Sequence, residues 1–224
     1  MSKLKTILLT KTLSNDLLDV LDYRSFKTLS FDFINTIALP FNKSEILNTS
    51  NHWIISSKQT INILLKTYKT SELKHISFYC VGDKTAKIIT DNKLNLVTCS
   101  LSSAKLAQHI TKNYNTTNFT FIGGEMRRNE LEGILKNHKI QLNIFNIYST
   151  TLSPNEINQS IDGILFFSPS AIQSYVLNNT ITTETLFCIG NTTATEANTH
   201  STNIIIAEHQ TFESVIESVK NHYT

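Results

Sequence analysis

FCIGNTTATEA, at residues 187–197, joins an apolar run to a glycine and then to a threonine-rich segment. This order predicts a buried strand that ends near Gly190 and turns directly into an α-helix. The first N–H groups of a helix have no partner inside the helix, and the hydroxyls of Thr192 and Thr193 would lie beside them. The stretch therefore predicts a strand-to-helix corner that can hold an anion.

A similar pattern occurs earlier in the chain, as FYCVGDKTAKII at residues 78–89. Gly82 and Thr85 of this segment correspond to Gly190 and Thr193, each of them 108 residues later. The correspondence covers the apolar strand as well as the start of the helix. It predicts a second corner of the same kind.

A second pair of segments keeps almost the same separation. WIISSKQTI at residues 53–61 matches ILFFSPSAI at residues 164–172, and Ser168 lies 111 residues after Ser57. Together the two pairs predict two copies of one unit. In parallel sheets such corners lie beyond the carboxyl ends of the strands, where ligands bind.

The composition is that of a folded protein with little attraction for nucleic acid. Hydrophobic residues make up 40% of the 224 residues and charged residues 17%, which is enough for two domains that each bury a core. The net charge is +2 and the basic residues are scattered, so the sequence argues against a nucleic-acid partner. Any anionic ligand has to be held by local contacts.

The sequence also bears on compartment and metal binding. No run of about 18 apolar residues occurs, and the amino-terminal apolar run is too short for a secretory core. Cys80, Cys99 and Cys188 lack metal-ligand spacing, so we expect free thiols in a reducing compartment. The 7 histidines are scattered and predict no metal site. We expect a cytoplasmic protein without a membrane partner, and a monomer by default.

Strands and helices alternate along most of the chain, which is typical of parallel sheets covered by helices on both faces. The first segment supplies too few strands for a sheet of its own, and the last third can supply the rest. We predict an α/β fold of two doubly wound parallel-sheet domains joined by two connecting strands, with the first domain discontinuous. That domain comprises residues 1–34 plus 152–224, the continuous domain residues 42–140, and the connecting strands residues 35–41 and 141–151.

Helices are expected wherever the apolar residues recur with helical spacing. The predicted helices are at residues 58–68, 84–91, 103–113, 127–137, 171–177, 192–199 and 212–223, with a further helical pattern through Leu13, Leu17, Leu18 and Leu21.

A family resemblance rests on several short motifs taken in order. They are SS-x-x-x-I at residues 56–61, VGDKTA at 81–86, GGEMRRNEL at 123–131, IYSTT at 147–151, FFSPSAI at 166–172 and IGNTTA at 189–194. In this order and at these spacings the chain resembles the uroporphyrinogen-III synthase family over essentially its full length. The resemblance implies dehydrating cyclisation of hydroxymethylbilane to uroporphyrinogen III, with inversion of the last pyrrole ring and without a cofactor or metal. It also implies a possible partner, the preceding enzyme hydroxymethylbilane synthase.

Tyr148 matches the tyrosine of the family motif near the return strand. It is our candidate catalytic residue, as a general acid that helps the terminal hydroxyl of the substrate to leave. With a phenol pKa near 10, its role would be a hydrogen bond and positioning more than full proton transfer. The structural alternative is a half-buried tyrosine that bonds to a backbone carbonyl.

The candidate substrate-binding residues share a place at strand-to-helix corners or glycine turns. They are Ser57, Gly82, Thr85, Gly124, Arg127, Ser168, Ser170, Gly190, Thr192 and Thr193. Hydroxyls and free N–H groups there could bind the carboxylates of a polyanionic tetrapyrrole. The alternatives are helix capping for the hydroxyls, a solvated side chain for Arg127 and an ordinary turn for Gly124.

Two departures from the family pattern and two rival functions remain. Lys11 follows Thr10 where the family usually has Arg-Pro, and Thr60 replaces a small apolar residue. The first rival function is a non-catalytic two-domain binding protein for an anionic small molecule. The second is a sugar-phosphate enzyme, which would need a positioned base that the sequence does not show.

Overall fold

The computed structural model describes residues 4–13, 21, 25–127 and 129–223. Its strands, in chain order, are β1 (Lys5–Leu9), β2 (Phe26–Ser30), β3 (Ile34–Ala38), β4 (His52–Ile55), β5 (Ser77–Val81), β6 (Asn95–Ser100), β7 (Phe119–Gly124), β8 (Leu142–Leu152), β9 (Gly163–Phe166), β10 (Thr185–Cys188) and β11 (Ile204–Ile206). Its helices are α1 (Lys43–Leu47), α2 (Lys58–Thr67), α3 (Thr70–Leu73), α4 (Asp83–Asp91), α5 (Ser103–Asn113), α6 (Glu130–Asn137), α7 (Pro169–Asn178), α8 (Asn191–Ala197) and α9 (Phe212–Tyr223).

Two compact units divide the chain. The discontinuous unit contains Met1–Asn35 and Thr151–Thr224, and the middle unit is Thr36–Thr150. Each has its own sheet, and the predicted α/β class with two mostly parallel sheets is confirmed.

The sheet of the discontinuous unit has five parallel strands in the order β11-β10-β9-β1-β2. Successive residues of a strand point to opposite faces. Leu8 therefore packs with Ile172 of α7 on one face, while Ile7 and Leu9 pack with Ile216 of α9 on the other. Burying each such side chain contributes roughly 1.5–3 kcal/mol, so both faces contribute to the core.

The sheet of the middle unit has six strands in the order β3-β8-β7-β4-β5-β6. Trp53 and Ile55 of β4 pack with Ile61 of α2 on one face, and Ile54 packs with Leu106 of α5 on the other. All five side chains are fully buried. This alternation explains why β4 reads as a continuous apolar run in the sequence.

The internal repeat of the sequence is also a repeat of topology. In the middle unit, β4, β5 and β6 are neighbouring parallel strands that follow one another in the chain, with α2 after β4 and α4 after β5. In the discontinuous unit, β9, β10 and β11 have the same arrangement, with α7 and α8 in the equivalent places. Ser57 and Ser168 are the N-caps of the equivalent helices α2 and α7. Gly82 and Gly190 are the N-caps of α4 and α8.

Several predicted helices differ from the observed ones. The predicted helix at residues 127–137 begins only at Glu130, and the Arg127 side chain before it bonds back to the carbonyl of Gly124 at 2.9 Å. Helix α1 was not predicted, because it lies in a mostly polar stretch of the sequence. The side chain of Asn42 caps this helix by accepting from Ser44 N–H at 3.0 Å. The short helix α3 was missed as well. Leu17 and Leu18 of the first predicted helix lie outside the described residues.

Candidate functional site

The corner after β4 brings two candidate residues together. Ser57 Oγ accepts a hydrogen bond from the backbone N–H of Thr60 at 3.1 Å, as expected of an N-cap. The same Oγ lies 2.9 Å from Thr60 Oγ1 and 3.0 Å from Tyr148 Oη. Thr60 is fully buried, whereas Ser57 and Tyr148 are partly exposed. The side chains of Ser57 and Tyr148 are therefore joined by a direct hydrogen bond.

Tyr148 reaches Ser57 across the backbone of β7. In the parallel pairing of β8 with β7, Tyr148 is opposite Gly124, the last residue of β7, and β7 in turn pairs with β4. A Cβ on Gly124 would lie 2.7 Å from Cζ of the tyrosine ring, which is closer than carbon atoms can pack. Gly124 thus leaves the space that the ring occupies.

The structure places Gly124, a predicted substrate contact, against the ring of Tyr148. Gly124 is buried. The close approach that it permits is that of the Tyr148 ring, and its carbonyl accepts a hydrogen bond from Arg127. The glycine therefore positions the candidate catalytic residue in this structure.

The corner after β5 is built on Gly82. Its φ of +86° is rarely adopted by residues with a side chain, so this position favours glycine. The Gly82 N–H donates to the carbonyl of Ser100 at 2.9 Å and is therefore already bonded within the protein. Thr85 is only 3% exposed. The first turn of α4 directs Thr85 inward, and its contact with substrate stays a prediction.

Arg127 forms contacts within its own unit. Its Nε donates to Glu132 at 2.5 Å, and its Nη1 donates to the carbonyl of Gly124 and, at 2.6 Å, to Asn146. The guanidinium also lies 5.1 Å from the centre of the Phe121 ring. The ion pair is mostly shielded from solvent, with 17% and 20% of the two side chains exposed. Arg127 thus anchors the loop after β7 in this structure, and its contact with substrate stays a prediction.

The corner after β9 in the discontinuous unit repeats the Ser57 geometry. Ser168 Oγ accepts from the Ala171 N–H at 3.2 Å, and Pro169 occupies the first position of α7, where its missing N–H costs nothing. Ser168 and Ser170 are partly exposed. Both hydroxyls therefore lie at the carboxyl end of a central strand of the sheet.

The corner after β10 separates the two threonines. Thr192 is exposed, whereas Thr193 is 2% exposed, since neighbouring helix residues point in different directions. The two hydroxyls therefore differ in exposure, and anion binding by Thr193 stays a prediction. Gly190 has extended backbone geometry, and a Cβ there would lie 3.0 Å from Nε2 of Gln210. A side chain at this position would require the flexible Gln210 side chain to shift by a few tenths of an ångström.

Sequence reasoning missed three partners of the predicted residues. Thr60 bonds to Ser57, while Glu132 and Asn146 hold Arg127. Thr60 could have been found from the spacing of an N-cap and its third helical residue. The contact of Arg127 with Asn146 had no local signal, because it connects the loop after β7 to the next strand.

Two further properties concern the described ranges as a whole. Within residues 4–13, 21, 25–127 and 129–223, no three His, Cys, Asp or Glu side chains group closely enough to hold a metal ion. None of the helices described for the chain has the length and apolar character needed to cross a membrane.

Two parallel-sheet units, each with hydroxyl-bearing turns at the carboxyl ends of its strands, define a two-domain α/β protein of the kind that binds ligands at strand ends. A family model described as uroporphyrinogen-III synthase HemD matches residues 33–217 of the chain. The chain belongs to the uroporphyrinogen-III synthase family.

Solved structures share the fold. The uroporphyrinogen-III synthetase from Helicobacter pylori aligns with a TM-score of 0.74 at 18% identity, over 98% of this chain and 100% of that one. A mutant uroporphyrinogen III synthase from the extremely thermophilic bacterium Thermus thermophilus aligns with a TM-score of 0.69 at 11% identity, over 97% of this chain and 98% of that one. No curated protein sequence matches the chain.

Family membership establishes the type of reaction. The chain is a cyclising lyase of haem biosynthesis, which converts hydroxymethylbilane to uroporphyrinogen III with loss of water. The predicted family, fold class and reaction are thereby confirmed.

Proposed function

We propose that, in this reaction, Tyr148 donates a proton to the terminal hydroxyl of hydroxymethylbilane as the hydroxyl leaves. The C–O bond breaks, water departs and an azafulvene remains, which the far pyrrole attacks to close the ring. Because the net reaction releases only water, the proton that Tyr148 gives up is returned before the next turnover. A general acid of this kind contributes about 10²-fold or more to a rate.

The observation that carries this proposal is the setting of the phenol. Tyr148 lies level with the carboxyl end of β7, is partly exposed, and has Ser57 Oγ as the hydrogen-bond partner of its hydroxyl at 3.0 Å. A purely structural tyrosine would be expected to bond to a backbone carbonyl, as Tyr68 does to the carbonyl of Lys43. A serine hydroxyl can donate a hydrogen bond to the phenol oxygen both before and after the phenol has lost its proton.

We further propose that hydroxyls and N–H groups at the strand ends of both units bind the substrate carboxylates. The exposed or partly exposed side chains of Ser168, Ser170 and Thr192 support this proposal, whereas Ser57 lies at the same kind of corner with its hydroxyl already bonded to Tyr148. Gly82 and Gly190 shape the backbone of their corners. Each charge-assisted hydrogen bond contributes about 1.5–3 kcal/mol, so several together can hold a polyanion without a large positive patch.

Three broader proposals follow from the reaction and the surface. The substrate is the product of hydroxymethylbilane synthase, which makes that enzyme the candidate partner. The exposed hydrophobic side chain of Leu101 lies in the loop after β6 and that of Leu177 in α7, and this scatter supports a monomer. The buried thiols of Cys80 and Cys188 support a reducing compartment such as the cytoplasm.

Incubation of the purified chain with enzymatically made hydroxymethylbilane tests the proposed function. After oxidation of the products, chromatography separates the type I and type III isomers. We expect type III product at a rate proportional to the protein concentration. Type I product alone, at the rate seen without protein, would contradict the function.

A further inference from the structure

The hydroxyl of Ser57 has more neighbours than a single hydrogen can serve. Its Oγ lies within hydrogen-bonding distance of the Thr60 N–H at 3.1 Å, of Thr60 Oγ1 at 2.9 Å and of Tyr148 Oη at 3.0 Å. A serine hydroxyl carries one hydrogen and two lone pairs. The Thr60 N–H occupies one lone pair. Of the two neighbouring hydroxyls, one must therefore donate to Ser57 and the other must accept from it.

Burial decides between the two possible directions. Thr60 is 0% exposed, and within the described part of the chain Ser57 Oγ is the one hydrogen-bond partner of Thr60 Oγ1. If Tyr148 donated to Ser57, Ser57 would donate to Thr60, and the buried hydrogen of Thr60 would lack an acceptor. If Thr60 donates to Ser57, and Ser57 to Tyr148, every buried hydrogen is bonded. The phenolic hydrogen of the partly exposed Tyr148 then points to solvent or ligand.

We propose that Thr60 and Ser57 are positioning residues that orient the Tyr148 phenol through a one-way chain of hydrogen bonds, Thr60 to Ser57 to Tyr148. This inference rests on the proposed role of Tyr148. This series of hydrogen bonds leaves the phenolic hydrogen available to the substrate hydroxyl. Ser57 also supplies a hydrogen bond to the phenolate oxygen once the proton has left. Thr60 is the first donor of this series of hydrogen bonds, because its buried hydroxyl has no route to solvent through the described contacts.

Replacement of Thr60 by valine tests this series of hydrogen bonds, because valine has nearly the same shape as threonine. Thr60→Val keeps the backbone N–H that bonds to Ser57 and removes only the hydroxyl. Thr60→Ser restores a hydroxyl at the same place. Thr120→Val is the matched control, since Thr120 is also fully buried and its hydroxyl bonds to Thr49 at 2.7 Å in the same unit. Thermal unfolding of all three variants shows that they are folded.

Carbon-13 NMR of protein labelled at tyrosine Cζ measures the chemical shift of the carbon that carries the phenolic hydroxyl. The chain has 7 tyrosines, and the resonance of Tyr148 is assigned as the one missing from Tyr148→Phe. We expect Thr60→Val to move this resonance, Thr60→Ser to restore it, and Thr120→Val to leave it in place. An unmoved resonance in Thr60→Val, or an equal movement in Thr120→Val, would overturn the proposal.

Kinetics separate this inference from the proposed function. Thr60→Val should lower kcat about tenfold, as expected for the loss of one hydrogen bond, with KM unchanged and with recovery in Thr60→Ser. If Tyr148→Phe leaves turnover intact, the catalytic role of Tyr148 is wrong. The shift of the Tyr148 resonance in Thr60→Val then still shows whether the hydrogen bonds from Thr60 and Ser57 orient the phenol. If Tyr148→Phe is slow but Thr60→Val is as fast as the wild type, the orienting role is wrong.

Discussion

Ser57 Oγ and Tyr148 Oη are 3.0 Å apart although 91 residues separate them in the chain. The two residues belong to strand ends that are not neighbours, since β7 lies between β4 and β8. The phenol spans this distance because Gly124 of β7 has no side chain in its path. A serine that the sequence predicts as a binding residue thus becomes the direct partner of the candidate acid.

Tyr148→Phe removes the phenolic hydroxyl and keeps the ring over Gly124. We expect kcat to fall about 10- to 100-fold with a smaller change in KM, because the lost group acts when the substrate hydroxyl leaves. Steady-state assays with hydroxymethylbilane measure both constants. Tyr68→Phe is the control, since it removes a phenol that donates to the Lys43 carbonyl at 3.0 Å. It should cost about 1 kcal/mol of stability and leave kcat unchanged; unchanged kcat in Tyr148→Phe would refute the acid role.

Gly124→Ala places a methyl group where the Tyr148 ring lies. The ring has to move, so the Ser57 hydrogen bond should be lost and kcat should fall about as far as in Tyr148→Phe. Gly133→Ala provides the contrast, because a Cβ on this helical glycine meets nothing within 4 Å. That variant should keep its activity and gain about 0.5–1 kcal/mol of stability. Wild-type kcat in folded Gly124→Ala would show that the Tyr148 position does not matter.

Glu132→Gln breaks the shielded ion pair with Arg127. We expect the free energy of unfolding to fall by about 1–3 kcal/mol, because the guanidinium stays in place with a weaker acceptor. Asp91→Asn disrupts the Lys87–Asp91 pair, whose side chains are 75% and 58% exposed, and should cost less than about 0.5 kcal/mol. Urea titrations of both variants measure the difference. Equal losses would mean that Arg127 is not a structural anchor.

The three thiols should react in a fixed order with iodoacetamide. Cys80 and Cys188 are completely buried, and burial raises the pKa of each thiol to about 12, whereas Cys99 is partly exposed. Since the thiolate is the reactive form, native protein at pH 8 should be labelled at Cys99 first. The other two should react only in denaturant, as peptide mapping by mass spectrometry would show. Equally fast labelling of Cys188 in native protein would contradict its burial.

His52 should make the stability of the protein depend on pH. Burial lowers the pKa of its imidazole, whose Nδ1 lies 3.0 Å from Tyr79 Oη. The unfolded chain therefore takes up a proton first, and the free energy of unfolding should decrease as the pH falls below about 6.5. The decrease should level off below the pKa of the folded state. His52→Gln should have a shallower dependence in denaturant titrations between these limits, and an identical slope would be the contrary result.

The repeated apolar runs and their glycines were enough to predict two parallel-sheet units and the family. Hydrophobic periodicity and the chemistry of strand-to-helix turns are local, so the corners at Ser57, Gly82, Ser168 and Gly190 could be found in the sequence. Helix α1 was missed, because its signal is the capping side chain of Asn42 and not an apolar period.

Tertiary structure decided which corner residues are exposed and which are buried or bonded within the protein. Nothing in the sequence distinguishes Thr85 and Thr193 from exposed threonines, yet helix packing buries both of them. Arg127 is paired with Glu132, and Gly124 makes room for the ring of Tyr148. By itself, the sequence determined the architecture, because this depends on patterns along the chain, and it indicated the reaction class through its resemblance to a family. Which hydroxyl meets the phenol depended on the order of strands in the sheet, which brings together residues that no local spacing relates.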